Sequence, residues 1–351
     1  MRQTRGKIEH ELLQRIHAGI YPLGARLPSR RALLHELGGS PLTLQAAFDQ
    51  LTAQGFIVAH GSRGSFVAGC LPGQSTIALV FNDELERGAW NRFWSAIHRV
   101  ASDWSGPSGL EAGQFRSYCL AGGKLNGPVY QQLCSDLGDG ALAGVVFTSP
   151  PPFINQSALF TAPVPRLCIA QAALGSYSFA ASQVHCPDTA VLTSLCQRFR
   201  SAGRQRIAGL AGNALALERV RTLTAAQGLE ARPEWWHWLP TDAFGALPAR
   251  RLLHLLGTLP ARQRPDCLLI LDDNLVPAAT NGVLDAQWQG ELEIAAHANF
   301  PRLTHAAVPC LRYGLDAAHL LQAVIDEVAR LANGGAPRLV EVPFTVAATA
   351  R

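Results

Sequence analysis

The stretch 26–67, RLPSRRALLHELGGSPLTLQAAFDQLTAQGFIVAHGSRGSFV, constrains this chain more than any other. Ser29 stands where its side-chain oxygen can accept from the free N–H groups of a helix's first turn. Leu33, Leu34 and Leu37 follow at helical spacing until Gly38 ends the element. Ser40 can cap a second helix, with Pro41 at the first position, where no N–H is needed. Leu44, Ala47, Phe48 and Leu51 then form one apolar stripe that closes at Gly55. Beyond it the period falls to two. Phe56, Val58 and Phe66 predict strands, and Gly61-Ser62-Arg63-Gly64 predicts the turn between them. Upstream, residues 7–20 place Ile8, Leu12, Ile16 and Ile20 on one helical face, a further helix of the same module. The pattern is a helix-turn-helix followed by a β-hairpin wing.

Gly24, Leu27, Pro28, Ser29, Ser40, Thr43, Leu51, Gly55, Gly64, Phe66 and Val67 fall in the order and spacing of a known signature. Over about residues 5–69 the chain resembles the winged-helix DNA-binding domain of the GntR (gluconate-repressor type) regulators. The resemblance implies that Arg31 contacts DNA, that Ser40 and Thr43 open the recognition helix, and that Arg63 and Gly64 at the wing tip approach the minor groove. Arg26 and Arg30 are expected on phosphates, positioning the domain without reading bases, with a solvated helix charge the lesser alternative for Arg30 or Arg31. Where many relatives carry arginines, this recognition helix has Pro41 and Gln45, and a glutamine can read adenine in the major groove.

Charge agrees with that expectation once it is located. Residues 1–70 hold eight basic and four acidic side chains, the whole of the chain's net +4, and the remainder balances at 22 of each sign. A basic module joined to a neutral one is what phosphate binding by counterion release requires. No run approaches the roughly 20 apolar residues of a membrane span, and the first residues lead into an amphipathic helix, so a cytoplasmic protein is expected. Eight scattered cysteines form no Cys-x-x-Cys pair, which disfavours a metal site or a disulfide framework.

Loop punctuation at residues 70–75 predicts a linker, dividing a DNA-binding domain (1–69) from a larger domain (76–351). In the latter, strands are expected at Ile77–Phe81, Phe115–Leu120, Gly144–Thr148, Arg166–Ala170, Ile207–Leu210, Cys267–Leu271 and Leu292–His297. Helices are expected at Trp90–Asp103, Val129–Leu137, Thr189–Ala202, Leu217–Gln227, Ala246–Leu256 and Leu315–Ala332. Short apolar strands alternating with amphipathic helices predict an α/β fold with parallel sheets, and the length predicts two lobes with ligands taken at the strands' carboxyl ends. Residues 187–211, then Arg219-Val220-Arg221-Thr222-Leu223, then Arg264-Pro265-Asp266 with Asp272-Asp273, resemble in that order the sensor of the lactose/galactose repressors, which is periplasmic-binding-protein-like. That likeness implies an effector, a sugar or related metabolite, touched by Asn82, Arg219 and Asp272 and by the strand end at His297. There Ala298-Asn299 replaces the family's acidic pair. Of the cluster Trp235, Trp236 and Trp238, two are expected in the core and Trp238 on a sugar face, with Trp90 a weaker candidate of the same kind.

Catalytic signatures are missing: no phosphate-binding Gly-x-x-x-x-Gly-Lys loop, nucleophile elbow, dinucleotide fingerprint or His-Glu-x-x-His. One branch of GntR regulators carries pyridoxal phosphate on a lysine. Only Lys7 and Lys124 exist here, in the DNA domain and a glycine-rich loop, so that branch is disfavoured and no cofactor is expected. The expectation is a homodimeric repressor that pairs two winged domains over a palindromic double-stranded operator and takes its effector between the lobes. The rivals are a metabolite-processing α/β enzyme fused to a DNA-binding module, and a binding protein whose N-terminal domain meets a protein partner.

Overall fold

The computed structural model describes residues 5–17, 19–22, 24–68, 76–82, 92–104, 115–120, 125–149, 159, 164–170, 181–241 and 243–347. The N-terminal elements are α1 (Arg5–His17), α2 (Arg30–Leu37), α3 (Pro41–Ala53), β1 (Ile57–Ala59) and β2 (Ser65–Val67). Local chemistry sets their ends. Ser29 Oγ accepts from the Ala32 N–H at 3.2 Å, Ser40 Oγ accepts from the Thr43 N–H at 3.1 Å, and Gly38 closes α2 with φ 73°, a region L side chains avoid. The buried faces meet in one core that includes Leu12, Leu33, Leu44, Phe48, Leu51, Ile57 and Val67. Arg15 ties α1 to its neighbours, donating to Glu11 at 2.9 Å, Glu36 at 2.5 Å and the Tyr21 hydroxyl at 3.1 Å.

Ile20 does not join that core. Helix α1 stops at His17, Gly19 at φ 71° turns the chain, and Tyr21 is buried while Ile20 is left 64% exposed. In the wing, β1 and β2 pair antiparallel from Ile57↔Val67 to Ala59↔Ser65, and the segment around Arg26 bridges to Phe66 on the other side of β2.

The chain forms two compact units. One holds Met1–Glu84, Ala101–His185 and Gln322–Val340; the other holds Leu85–Val100, Cys186–Leu321 and Glu341–Arg351. Beyond the winged domain, the first unit is built on β3 (Thr76–Phe81), β4 (Phe115–Cys119), β5 (Leu142–Phe147), β6 (Arg166–Ala170), β7 (Ser182–His185) and β13 (Leu339–Glu341). Their order is β13-β7-β6-β5-β3-β4, with β7 through β4 parallel. Helix α5 (Pro128–Gly138) runs between β4 and β5, while α4 (Arg92–Ser102), which lies between β3 and β4 in the chain, belongs to the second unit up to Val100 and to the first beyond it. The second unit's sheet has β8 (Ile207–Ala211), β9 (Trp236–Trp238), β10 (Cys267–Ile270), β11 (Glu293–Phe300), β12 (Leu311–Asp316) and β14 (Thr345–Val346) in the order β14-β12-β11-β10-β8-β9. Only the β12–β14 pairing is antiparallel there. Around it lie α6 (Thr189–Ser201), α7 (Ala214–Ala226), α8 (Ala243–Thr258) and α9 (Val276–Asp285). Helix α10 (Ala317–Ala332) starts in the second unit and ends in the first. Among the described residues no helix is long and apolar enough to cross a membrane.

Five strands and one helix escape the hydrophobic periodicity. Strand β12 falls partly inside the expected helix Leu315–Ala332, and its Arg312 interrupts the apolar run although it is buried, donating to the Thr304 carbonyl. Helix α9 carries Pro277, Asn281 and Gly282, poor helix formers, yet Gly282 is needed there. A Cβ at that position would lie 2.2 Å from the Arg250 carbonyl of α8. Strands β7, β9, β13 and β14 are four residues or shorter. Gly24 makes a contact within the first unit, joining the winged domain to the end of α10. It sits at φ 71°, and a Cβ would lie 3.1–3.3 Å from the backbone of Ala332 to Gly334.

Candidate functional site

On the winged domain, the first turn of α3 is closed on itself. The Ser40 and Thr43 hydroxyls lie 2.8 Å apart, in addition to the cap bond from the Thr43 N–H. Gln45 is exposed and donates from Nε2 to Asp49 Oδ1 at 2.7 Å. Arg31 on α2 and Arg63 on the wing are exposed, and their side chains make no hydrogen bond or ion pair among the described residues. Arg26 is exposed and lies along the wing: a Cβ at Gly64, whose φ is 105°, would stand 3.1 Å from Arg26 Nε. Gly64 therefore serves both the turn and the arginine beside it.

Arg30 departs from the expected phosphate contact. Its guanidinium lies 3.4 Å from the centroid of the Phe48 ring, Nη1 is buried without a partner, and burial pulls its pKa below the usual arginine value, with Asp49 opposing. A cation held over an aromatic face belongs to the domain's packing. Among the described residues of the winged domain, the basic side chains left free are Lys7 on α1 and, around α2 and the wing, Arg26, Arg31 and Arg63.

In the second unit the carboxyl ends of β8, β9 and β10 meet. Register places Ala211 opposite Trp238, and a Cβ on the next residue, Gly212, would lie 2.7 Å from Asp272 Oδ2. Asp272 is oriented by Asn274, whose N–H and amide nitrogen donate to its Oδ1 at 2.9 and 2.7 Å. Trp238 is 56% exposed, while Trp235 and Trp236 are buried, Trp236 donating to the Ile207 carbonyl at 3.1 Å. The two-in, one-out division of the tryptophans follows the expected reading. Arg219 on α7 is half-exposed and donates to Asp188, which precedes α6, at 2.5 Å.

Behind this rim lies a buried polar group that sequence spacing does not assemble. Asp273, 3% exposed, accepts from Asn299 Nδ2 at 2.9 Å, and burial raises its carboxyl pKa against the pull of His297 and Asn299. Asn299 is itself buried, so its place is behind Asp273, and its Oδ1 has no partner. His297 packs edge-on to Tyr313 with centroids 5.9 Å apart. Burial lowers its pKa, opposed by Asp273, Asp272 and Asp188, and its buried Nδ1 is unpartnered. The signal for Asp273 is the Asp-Asp pair itself; nothing local in the sequence marks the partner, 26 residues away.

In the first unit Asn82 stands at the carboxyl end of β3 and donates to Ser149, beyond β5, at 2.9 Å, with its Oδ1 free of any described partner. Trp90 and Lys124 lie outside the described residues. The described cysteines are free thiols, and burial pushes Cys168 and Cys186 up to about 12, which leaves them inert packing groups.

Comparison with known proteins follows this division. Residues 4–67 match the family of bacterial regulatory proteins described as gntR. A stretch of this chain is 35% identical over 72 residues to the HTH-type transcriptional regulator TauR of Rhodobacter capsulatus, covering 19% of this chain. A stretch is likewise 37% identical over 62 residues to the histidine utilization repressor of Pseudomonas putida, covering 18% of this chain. The chain thus spans 15% and 25% of the length of these two relatives. A regulatory protein of the LacI family from Chloroflexus aggregans superposes with a TM-score of 0.58 at 16% identity, over 79% of this chain and 98% of that one. The transcriptional regulator CelR in complex with cellobiose superposes with a TM-score of 0.57 at 15% identity, over 92% and 99%. All four are named as regulators or repressors and none as an enzyme. A gntR-type DNA-binding domain here precedes an α/β part with the fold of LacI-type sensors.

Proposed function

We propose that this chain is a transcriptional repressor that binds a palindromic double-stranded operator as a homodimer and releases it in response to a small-molecule effector, a sugar or related metabolite. The observation that carries the reading is the set of free cations, Arg26, Arg31 and Arg63, beside a recognition helix closed by its own cap, in the part of the chain that holds all its net positive charge. A sensor fold supplies the other half: an exposed Trp238 at the end of β9 and an oriented Asp272 beyond β10, on either side of β8, offer an apolar face and hydroxyl acceptors, the combination that suits a sugar ring. CelR, of similar fold, is complexed with cellobiose. An operator as target means that the protein works in the cytoplasm. Helix α10, which ends against Gly24, is the element through which occupancy of the sensor reaches the winged domain.

The test is a mobility-shift titration of the purified chain against duplexes selected from a random library, at fixed salt, with and without a panel of sugars and related metabolites. The expected result is a two-fold symmetric consensus bound by a dimer and released by one class of effector. A folded protein that selects no duplex at low salt defeats the regulatory reading, and turnover of a bound metabolite would replace it with an enzymatic one.

A further inference from the structure

The outward face of the recognition helix carries no cation. Leu42, Gln45 and Asp49 recur at helical spacing along α3 and are all exposed, opposite the buried stripe Leu44, Ala47, Phe48 and Leu51. Leu42 is 84% exposed, the most exposed large apolar side chain among the described residues. It contributes nothing to the core, which is complete without it. Little else beside it is open: Pro41 has no N–H to offer, the Ser40 and Thr43 hydroxyls face each other at 2.8 Å, and Gln45 gives one N–H to Asp49 at 2.7 Å, keeping its second N–H and its carbonyl oxygen for a base.

In a helix-turn-helix domain the N-terminal residues of the recognition helix enter the major groove and meet base edges. A leucine has no donor or acceptor to use there. The one apolar feature that base pairs present in that groove is the C5-methyl group of thymine, and the amide that follows on the same face suits adenine. We infer that Leu42 is a specificity-determining residue that packs on a thymine methyl in each operator half-site, next to an A·T pair read by Gln45. The inference rests on the DNA-binding reading above and deepens it, since it names the bases on which the domain depends. Arg31 and Arg63, lying off this stripe, hold the backbone and leave the choice of sequence to Leu42 and Gln45.

The test uses the full chain. Duplexes are first selected from a random library, and each thymine of the consensus is then replaced by deoxyuridine, which keeps the base pairing and removes only the methyl. One symmetry-related thymine in each half-site is expected at which the replacement weakens wild-type binding roughly three- to fivefold, the worth of one buried methyl group. The same replacement should leave Leu42→Ala binding unchanged, and selection with that variant should return a consensus relaxed at that position, with an unaltered salt dependence. The exposure of Leu42 leaves the variant folded, which its melting curve checks. Wild-type binding indifferent to deoxyuridine at every thymine, or a loss that persists in Leu42→Ala, overturns the inference while leaving DNA binding intact. If no duplex is selected at all, the regulatory reading fails and the inference with it.

Discussion

The Glu327 carboxylate, 1% exposed, accepts a 2.5 Å hydrogen bond from the Ser182 hydroxyl across 145 residues of sequence. Arg330 and Arg338 close on the same carboxylate, Arg330 through two bonds and Arg338 at 2.9 Å, while the Arg338 N–H donates back to Ser182 Oγ at 3.1 Å. This group fastens the segment after α10 to β7. Burial raises the Glu327 pKa, and the bonds from Arg330, Ser182 and Arg338 outweigh it, leaving the carboxyl at about 2. A carboxylate depressed in the folded state stabilises it above the unfolded pKa and loses that contribution as pH falls. The loss here runs from about pH 4.5 down to about pH 2 and amounts to roughly 3 kcal/mol. Glu327→Gln is expected to destabilise the protein by about 3 kcal/mol at neutral pH and to flatten stability across that acid window. Urea titrations of both proteins between pH 7 and pH 3 check this; parallel pH profiles would refute it.

Arg31→Ala and Arg63→Ala should weaken DNA binding without harming the fold, because both side chains are exposed and free of described partners. Each substitution is expected to lower the slope of log K against log salt by about one for every phosphate that the arginine neutralises. A titration at several salt concentrations measures this directly. An unchanged slope in both variants removes these residues from the interface.

Arg30→Ala should behave differently from its neighbour. Its guanidinium stacks on Phe48 and is partly buried, so truncation is expected to cost about 1 kcal/mol of stability by removing that packing and the cation–π attraction. The salt slope should stay at the wild-type value. A drop in slope without a drop in Tm would restore Arg30 to the phosphate-binding set.

What can be read from the sequence divides along the range of the physics involved. The caps Ser29 and Ser40, the Gly38 stop and the stripe from Leu44 to Leu51 are settled within one helical turn of each residue, and each is found where local chemistry puts it. The end of α1 depends on Gly19 and on Tyr21 taking the core position, so periodicity finds the helix but misplaces Ile20. Arg30 and Arg31 are adjacent and chemically alike in the sequence. Only the packing of α2 on α3 sends one onto Phe48 and leaves the other free. In the larger α/β part, the parallel strands are legible as apolar runs, but β12 is not, because the buried Arg312 interrupts its run and meets the Thr304 carbonyl only in the fold, with Nη1 left unpartnered. The pairing of Asp273 with Asn299 is hidden for the same reason, since both are ordinary polar residues until the fold brings β10 and β11 side by side.

The tryptophans of the second unit offer the sharpest separation of structure from function. Trp235 is 2% exposed with Arg232 over its ring, so Trp235→Ala is expected to cost roughly 3–5 kcal/mol and threaten folding. Trp238, 56% exposed at the end of β9, should be removable with little loss of stability in the free protein. Its expected cost lies in effector binding, on the order of 1 kcal/mol or more, which is at least about fivefold in Kd. Asp272→Asn removes the charge from the acceptor beyond β10 while keeping its shape, and should also weaken binding of a hydroxyl-bearing effector. A bound effector raises the melting temperature in proportion to RT ln(1 + [L]/Kd), so thermal shifts across a sugar and metabolite panel read all the variants on one scale. The proposed sugar-facing role requires that a ligand shifting the wild type shifts Trp238→Ala less at equal concentration, with free-state melting temperatures alike. Equal shifts in the two proteins would exclude Trp238 from the effector site and leave it an exposed ring at a strand end.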